Sequence, residues 1–359
     1  MEAYAGALTA DLSAVAQAGP AGCGPPGTPQ GPWPPLASVF VGGGTPTLLP
    51  AAALAELLDH ARAVLPVRAD AEVTVEANPE TVEVDGLATL VAAGLTRLSI
   101  GAQAFAADTL AFLDRRHDPA SVGRAVTAAR SAGVASINLD LIFGVPGQDA
   151  AAWQATLEQA LALEVDHLSC YALTLERNTP YFRAVAQQRQ PAPEEEVAAE
   201  RMAAAARTLA AAGFERYEVS NWARPGHACV HNLSCWRGGD YLAVGAGAHG
   251  HWRGRRWWRV RSTERYVARV HAGAHPDGGQ ELLSAAERRA ERLALGLRTA
   301  EGVPRSAVEP AADRMLARLL DAGLLSADGG RVAVTAQGWA LADGIAAALL
   351  PTEPVPAGP

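Results

Sequence analysis

The chain has 359 residues, 35 of them Gly and 24 Pro, a length that suits one large domain plus a smaller one. Its net charge of −8, with no Lys/Arg-rich run apart from RGRRWWRVR at 253–261, argues against nucleic acid as the default partner. Four cysteines without disulfide-scaffold spacing, no 18-residue apolar run, and Glu2 and Asp11 in place of a basic leader make the cytoplasm the expected compartment.

Residues 1–17 read as an amphipathic helix and the Gly/Pro-rich stretch 18–37 as a loop. Strands and helices then alternate. Strands are expected at Ser38–Val41, Val73–Glu76, Arg97–Gly101, Ser136–Phe143 and His167–Thr174. Helices are expected at Ala51–Val64, Val84–Ala93, Pro119–Ala132 and Ala151–Leu163. Such alternation predicts a parallel sheet. A further helix is expected between about 190 and 215, followed by the Gly-, His- and Trp-rich HNLSCWRGGDYLAVGAGAHGHW. The RRWW stretch at 255–258 reads as an edge strand with a solvated basic face, which leaves room for a membrane-surface contact. From Ser284 the order is helix (to Thr299), helix (Ala307–Ala322), a hairpin around DGG and a last helix, a winged-helix-like sequence of elements. Three segments are expected: 1–185, 186–283 and 284–350.

Ligands of a βα barrel sit at the carboxyl ends of its strands, and the polar residues there are ordered. VFVGGGTPTLL at 39–49 runs from strand through a glycine turn toward a helix, and a side chain at Gly42, Gly43 or Gly44 would block close approach of the backbone to a ligand. Glu76 and Asn78 end the second strand and Gln103 the third. Asn138 and Asp140 lie in the fourth, and Ser169, Tyr171 and Thr174 in or after the fifth. Glu76 and Asp140 interrupt apolar strands, and a buried carboxylate is costly unless paired. Either a ligand site or an interior salt bridge to Arg97 or Arg115 accounts for them. His227, Cys229, His231 and Cys235 fall within nine residues and invite a zinc reading, but H-x-C-x-H-x3-C is the spacing of no common finger. His249 and His251 read as surface or hydrogen-bonded histidines.

VFVGGGTPTLL, VTVEANPETV, RLSIGAQAF, LDLIFGVPGQ, YALTLERNTPYF and HNLSCWRGGDYLAVGAGAHGHW, in this order, resemble the HemW group over about residues 1–350. These are heme chaperones related to oxygen-independent coproporphyrinogen III oxidase, within the radical S-adenosylmethionine (SAM) superfamily. The resemblance implies an α/β fold: a partial (β/α)6 barrel, here lacking its first strand, with a winged-helix-like α+β domain at the C-terminus. It implies SAM, a [4Fe–4S] cluster and heme as bound groups. Gly43, Gly44 and Thr45 match the turn that takes the amino group of the methionine moiety. Glu76, Gln103, Arg115 and Asp140 match further SAM-contacting positions, and Thr174 matches one more. An acid on the ribose hydroxyls and an Arg on the methionine carboxylate are the chemically natural roles.

Two departures from the family pattern stand out. The family's C-x3-C-x2-C cluster loop is absent, since the first 38 residues hold one cysteine, Cys23, in AGCGPPG. Clusters need thiolates placed together, so the chain as written is not expected to assemble one. A strand and cluster loop encoded upstream of Met1 is the first expectation and a cluster-less paralogue the second. The family's H-N-x-x-Y-W reads His231-Asn232-Leu233-Ser234-Cys235-Trp236, with Cys for Tyr. His231 is the first candidate heme ligand and Cys235 the second. The expected function is heme binding and transfer to acceptor hemoproteins, with SAM and the cluster supporting the state or oligomerisation of the protein. Radical decarboxylation of coproporphyrinogen is the alternative. A DNA-binding regulator is disfavoured, because the C-terminal segment carries Asp and Glu beside its few Arg residues.

Overall fold

The computed structural model describes residues 1–115, 117–177 and 179–350. Helix α1 (Glu2–Cys23) leads to strand β1 (Leu36–Val41). There follow α2 (Ala51–Val64), β2 (Val67–Ala77), α3 (Val84–Ala92), β3 (Arg97–Gln103), α4 (Ala107–Phe112), α5 (Ala120–Ser131), β4 (Ser136–Phe143), α6 (Ala150–Ala162) and β5 (His167–Ala172). After α7 (Pro180–Ala186) and α8 (Glu195–Ala211) come two short strands, β6 (Glu215–Arg216) and β7 (Asn221–Ala223). The seven strands form one sheet in the order β1-β2-β3-β4-β5-β7-β6. Strands β2 to β5 pair in parallel, whereas β7 runs antiparallel to β5 and to β6. This is the parallel α/β sheet that the alternation of strands and helices predicts. The antiparallel closing pair was not expected from the sequence, because strands of two and three residues carry no readable alternation.

The chain divides into two compact units. One comprises residues 44–48 and 74–228, the other 1–43, 49–73 and 229 onward. In the former, each central strand separates its side chains by parity. Leu98, Ile100 and Ala102 of β3, Ile137, Leu139, Leu141 and Phe143 of β4, and Leu168 and Cys170 of β5 are all buried. This apolar face packs beneath helices such as α5, α6 and α8, with Phe143 against Trp153 at 5.4 Å. The alternate positions, Thr74 and Glu76, Arg97 and Ser99, Asn138 and Asp140, His167 and Ser169, carry polar groups.

In the other unit, α9 (Val230–Trp236) precedes a three-stranded antiparallel sheet of β8 (His249–Trp252), β9 (Arg255–Arg259) and β10 (Asp277–Leu282), with α10 (Thr263–His271) between the last two. The RRWW stretch is the central strand of this sheet, not an edge. Trp257 and Arg259 turn inward at 2% and 1% exposure, while Arg255, Arg256 and Trp258 are partly exposed. Arg259 is tolerated there because Asp11 of α1 pairs with it at 2.7 Å, Asp277 pairs with it too, and the Tyr266 hydroxyl donates to the other oxygen of Asp11 at 2.8 Å. Helix α1 runs on to Cys23 where a loop from residue 18 was expected. It kinks at Gly19–Pro20, because the proline cannot continue the first segment but can open a second. Cys23 is thereby buried in the core beside Trp33 rather than lying in a loop.

The C-terminal segment contains α11 (Ala285–Gly296), β11 (Val303–Pro304), α12 (Asp313–Asp321), β12 (Leu325–Asp328), β13 (Arg331–Val334) and α13 (Ala342–Leu349). Its three short strands form an antiparallel sheet in the order β11-β13-β12. Leu293, Leu297, Val303, Leu316, Val332 and Ile345 form its own core. Ser284 opens α11 with a capping box completed by Glu287.

Candidate functional sites

The polar face of the parallel sheet is built in rows. Register sets Glu76 beside Ser99, Ser99 beside Asn138, and Asn138 beside His167. The next row carries Asp140 beside Ser169 and Ser169 beside Asn221. Side-chain bonds tie the rows together. Asn138 donates to Ser99 at 2.7 Å and to Asp140 at 2.9 Å, and Ser99 donates to Asp140 at 3.1 Å. Asn138 Oδ1 meets His167 Nδ1 at 2.6 Å and accepts from Ser169 at 3.2 Å, while His167 Nε2 lies 2.8 Å from the Tyr217 hydroxyl. Burial raises the carboxyl pKa of Asp140, against the hydrogen bonds from Ser169, Asn138 and Ser99 that hold it down. Burial pushes His167 well below the usual imidazole range, so its ring is neutral.

Of the two readings of Asp140, the interior salt bridge does not form among the described residues. The Arg97 guanidinium instead donates to Ser136 Oγ at 3.0 Å and to the His227 carbonyl at 2.9 Å, and acts on Asp140 only at longer range. Arg115 stands exposed on the turn after α4. Hydroxyl and amide donors therefore stabilise the carboxylate in place of a cation.

At the carboxyl ends of the strands, Asn78 Nδ2 donates to Thr45 Oγ1 at 3.2 Å, which ties the glycine turn to the end of β2. Gly43 and Gly44 adopt φ of 89° and 155°, and a Cβ on either would meet nothing within 4 Å. The turn is open on the side where a ligand would approach its backbone. Gln103 is a non-glycine residue at φ 62°, a left-handed conformation that costs energy and recurs at ligand sites. Its amide folds over Gly101, 3.0 Å from where a Cβ would stand. Thr45, Glu76, Gln103 and Asp140 thus share the polar face and its carboxyl end. Arg115 and Thr174 do not join them by any direct bond among the described residues. Thr174 is exposed and donates to Glu176 at 3.3 Å. The sequence reading missed Ser99, His167, Tyr217 and Glu218. Glu218 is fully buried and accepts from Asn221. Strict alternation in RLSIGAQ, SINLDLIF and HLSCYA was the signal that could have found the first two.

The second candidate site surrounds α9. Glu72 anchors the start of this helix, its carboxylate accepting from the backbone N–H groups of Val230 and His231 at 3.0 Å each and from Cys229 Sγ at 3.2 Å. The His231 ring stacks on Phe40 of β1 at 4.8 Å with 24° between planes. Its Nδ1 lies 3.2 Å from Ser38 Oγ, and its Nε2 lies 3.9 Å from Cys235 Sγ. Burial lowers the pKa of His231, opposed by Glu72, so the imidazole is neutral at neutral pH. Burial raises that of Cys235, which stays a thiol. Cys235 borders a cavity of about 340 Å³ whose wall includes Trp236, Tyr241, Arg256, Arg288 and Arg292. His251, on the same wall, bonds the Gly239 carbonyl at 3.1 Å and Asp240 at 3.2 Å.

The profile of the radical SAM superfamily matches residues 32–160, and that of the HemN C-terminal domain matches residues 283–341. The chain is 41% identical over 317 residues to the heme chaperone HemW of Mycobacterium tuberculosis, covering 88% of this chain and 81% of that one. It is 41% identical over 242 residues to the heme chaperone HemW of Escherichia coli, covering 67% and 61% of the two chains. The chain belongs to the HemW family. In fold it is similar to the coproporphyrinogen III oxidase HemN of Escherichia coli, with a TM-score of 0.78 at 22% identity over 97% of this chain and 82% of that one. That likeness concerns the fold and carries no claim about substrate.

Superfamily membership implies SAM and a [4Fe–4S] cluster, and the residues present fit the two differently. The open glycine turn, the strained Gln103 and the hydrogen-bonded Asp140 suit a polar cationic nucleoside such as SAM. The cluster does not fit. Among the described residues no three His, Cys, Asp or Glu side chains gather where they could hold a metal ion. Cys23 and Cys170 are buried in apolar surroundings, and Cys229 caps α9 by accepting from Asn232 N. No helix among the described residues is long and apolar enough to cross a membrane.

Proposed function

We propose that the protein is a heme chaperone that holds heme iron through His231 and passes heme to acceptor hemoproteins. The observation that carries this reading is the environment of His231. Its ring is fixed by Phe40, kept neutral by desolvation, and directs Nε2 at a weakly bonding thiol on the edge of a cavity. Neutral imidazole is a common axial ligand of heme iron. Cys235 ranks second because its raised pKa disfavours the thiolate that would ligate.

SAM would sit on the polar face of the parallel sheet. Gly43, Gly44 and Thr45 would take the amino-acid end, with Arg115 on its carboxylate. Glu76, Asp140 and Gln103 would take the ribose and its surroundings, and Thr174 would close the far side. When bound, SAM supplies a charged sulfonium nucleoside. No radical step is assigned to this chain, whose own residues hold no cluster.

Titration of the full chain with hemin tests the reading. In His231→Ala the Soret band should be lost or shifted while the circular dichroism is unchanged, and Cys235→Ser should retain the band. Because the His231 pKa lies below 6.5, ligation should persist from neutral pH down past that value and fail only as the ring protonates. An intact titration in His231→Ala, together with a lowered melting temperature, would make His231 a packing residue and end the proposal.

A further inference from the structure

The cavity beside Cys235 carries charge that neither the family motif nor the iron ligand explains. Arg256 of β9 is used locally, since it pairs with Glu291 at 2.6 Å and Glu281 at 3.4 Å. Arg288 and Arg292 of α11 are different. They stand four residues apart, one above the other on the same face of the helix. Among the described residues the Arg288 guanidinium donates only to the Leu283 carbonyl, at 2.7 Å, and it packs against Gly254. The Arg292 guanidinium has neither a hydrogen bond nor an ion pair among the described residues, and its stem lies against Gly238. Two guanidinium groups, neither paired to a carboxylate among the described residues, therefore face a cavity whose wall sets Trp236, Tyr241 and Leu295 beside Asn232, Cys235 and His251, and whose one carboxylate, Glu291, is taken by Arg256.

A second observation points to a ligand there. The Trp236 indole Nε1–H is shielded from solvent and has no acceptor among the described residues. A buried donor left without a partner costs about 1–3 kcal/mol, and natural structures keep such a group where something else satisfies it. The cavity volume falls in the range of sites for small organic ligands.

We propose that this cavity seats the carboxylate side chains of a planar anionic tetrapyrrole, with Arg288 and Arg292 each taking one carboxylate and Trp236 Nε1 donating to the ligand. The inference rests on the heme reading above and adds a binding wall on α11, outside the H-N-x-x-x-W motif. Heme has the matching composition, an apolar macrocycle with two carboxylates on one edge. With those carboxylates on the arginines, the ring would extend toward Cys235 and the Nε2 edge of His231.

The test compares hemin with hemin dimethyl ester, whose carboxylates are capped, by Soret titration of the full chain. Wild type should bind hemin more tightly than the ester. Arg292→Ala and Arg288→Gln should each weaken hemin by about tenfold, the loss expected when a charge-assisted hydrogen bond is removed, and leave ester binding unchanged. The Soret position of the bound form should stay that of wild type, because neither arginine touches iron. Arg292 is exposed and unpaired, so its substitution should leave folding intact. Circular dichroism checks Arg288→Gln, and Arg288→Lys should recover part of the affinity. Equal hemin and ester affinities in wild type, or arginine variants that bind hemin as wild type does, would overturn this inference while leaving His231 as the ligand. No Soret response in wild type would instead remove the heme reading itself.

Discussion

Asp140 shows how a carboxylate inside a sheet is held at a cost. Its carboxylate is half-buried on the polar face of the sheet and stabilised by Ser99, Asn138 and Ser169 rather than by a cation. Because its folded-state pKa lies above 3.8, the ionised group costs stability at neutral pH, and acidification through the raised value relieves that cost. Asp140→Asn should therefore match or exceed wild-type stability, by up to roughly 2 kcal/mol, while abolishing SAM binding. Asp140→Leu should have the opposite effect on stability, because Ser99 and Asn138 lose their acceptor at about 1–3 kcal/mol each. Thermal melts and SAM calorimetry on both variants check this, and an Asn variant as unstable as the Leu variant would show that the network requires the charge. The acid itself was legible in NLDLIFG as a charge in an apolar strand. Its partners were not, because Ser99 and His167 are ordinary residues until the strand register aligns them.

At the scale of elements, helices α2 and α5 and strand β4 lie within a residue of where hydrophobic periodicity put them. Long amphipathic segments announce themselves. The misreadings involve partners distant in sequence. The RRWW stretch looks like a solvated basic strand until Asp11, more than two hundred residues earlier, supplies the buried counter-charge for Arg259. That pair joins α1 to β9, and the Tyr266 hydroxyl brings in α10. Removing one member leaves an uncompensated buried carboxylate, so Arg259→Met should destabilise by about 3–5 kcal/mol. Replacing Asp11 and Arg259 together by Leu and Met should recover most of the loss. Denaturant titration of the single and double variants measures it. A single variant within 1 kcal/mol of wild type (roughly the worth of an exposed pair) would mean that the pair is dispensable.

For the molecule as a whole, the family's two chemistries separate. The polar sheet face and the His231 region are both present, whereas the four thiols of this chain are scattered between core positions and a helix cap. Anaerobic reconstitution of the full chain with iron and sulfide should give no EPR signal of a reduced [4Fe–4S] cluster, and hemin binding should survive the same treatment. A cluster near one per chain would refute this. The sequence by itself determined the alternation of strands and helices, the order of the six motifs and hence the family, and the identities of His231, Glu76 and Asp140 as unusual. Those are properties of local spacing and of residue type, which the chain carries wherever it folds. Only the tertiary structure decided that Asp140 is held by hydroxyls and an amide, that Arg259 is buried, that His231 is neutral against Phe40, and that α11 presents two arginines to a cavity bordering Cys235. Those are properties of pairing and desolvation between segments far apart in sequence, and no periodicity along the chain encodes them.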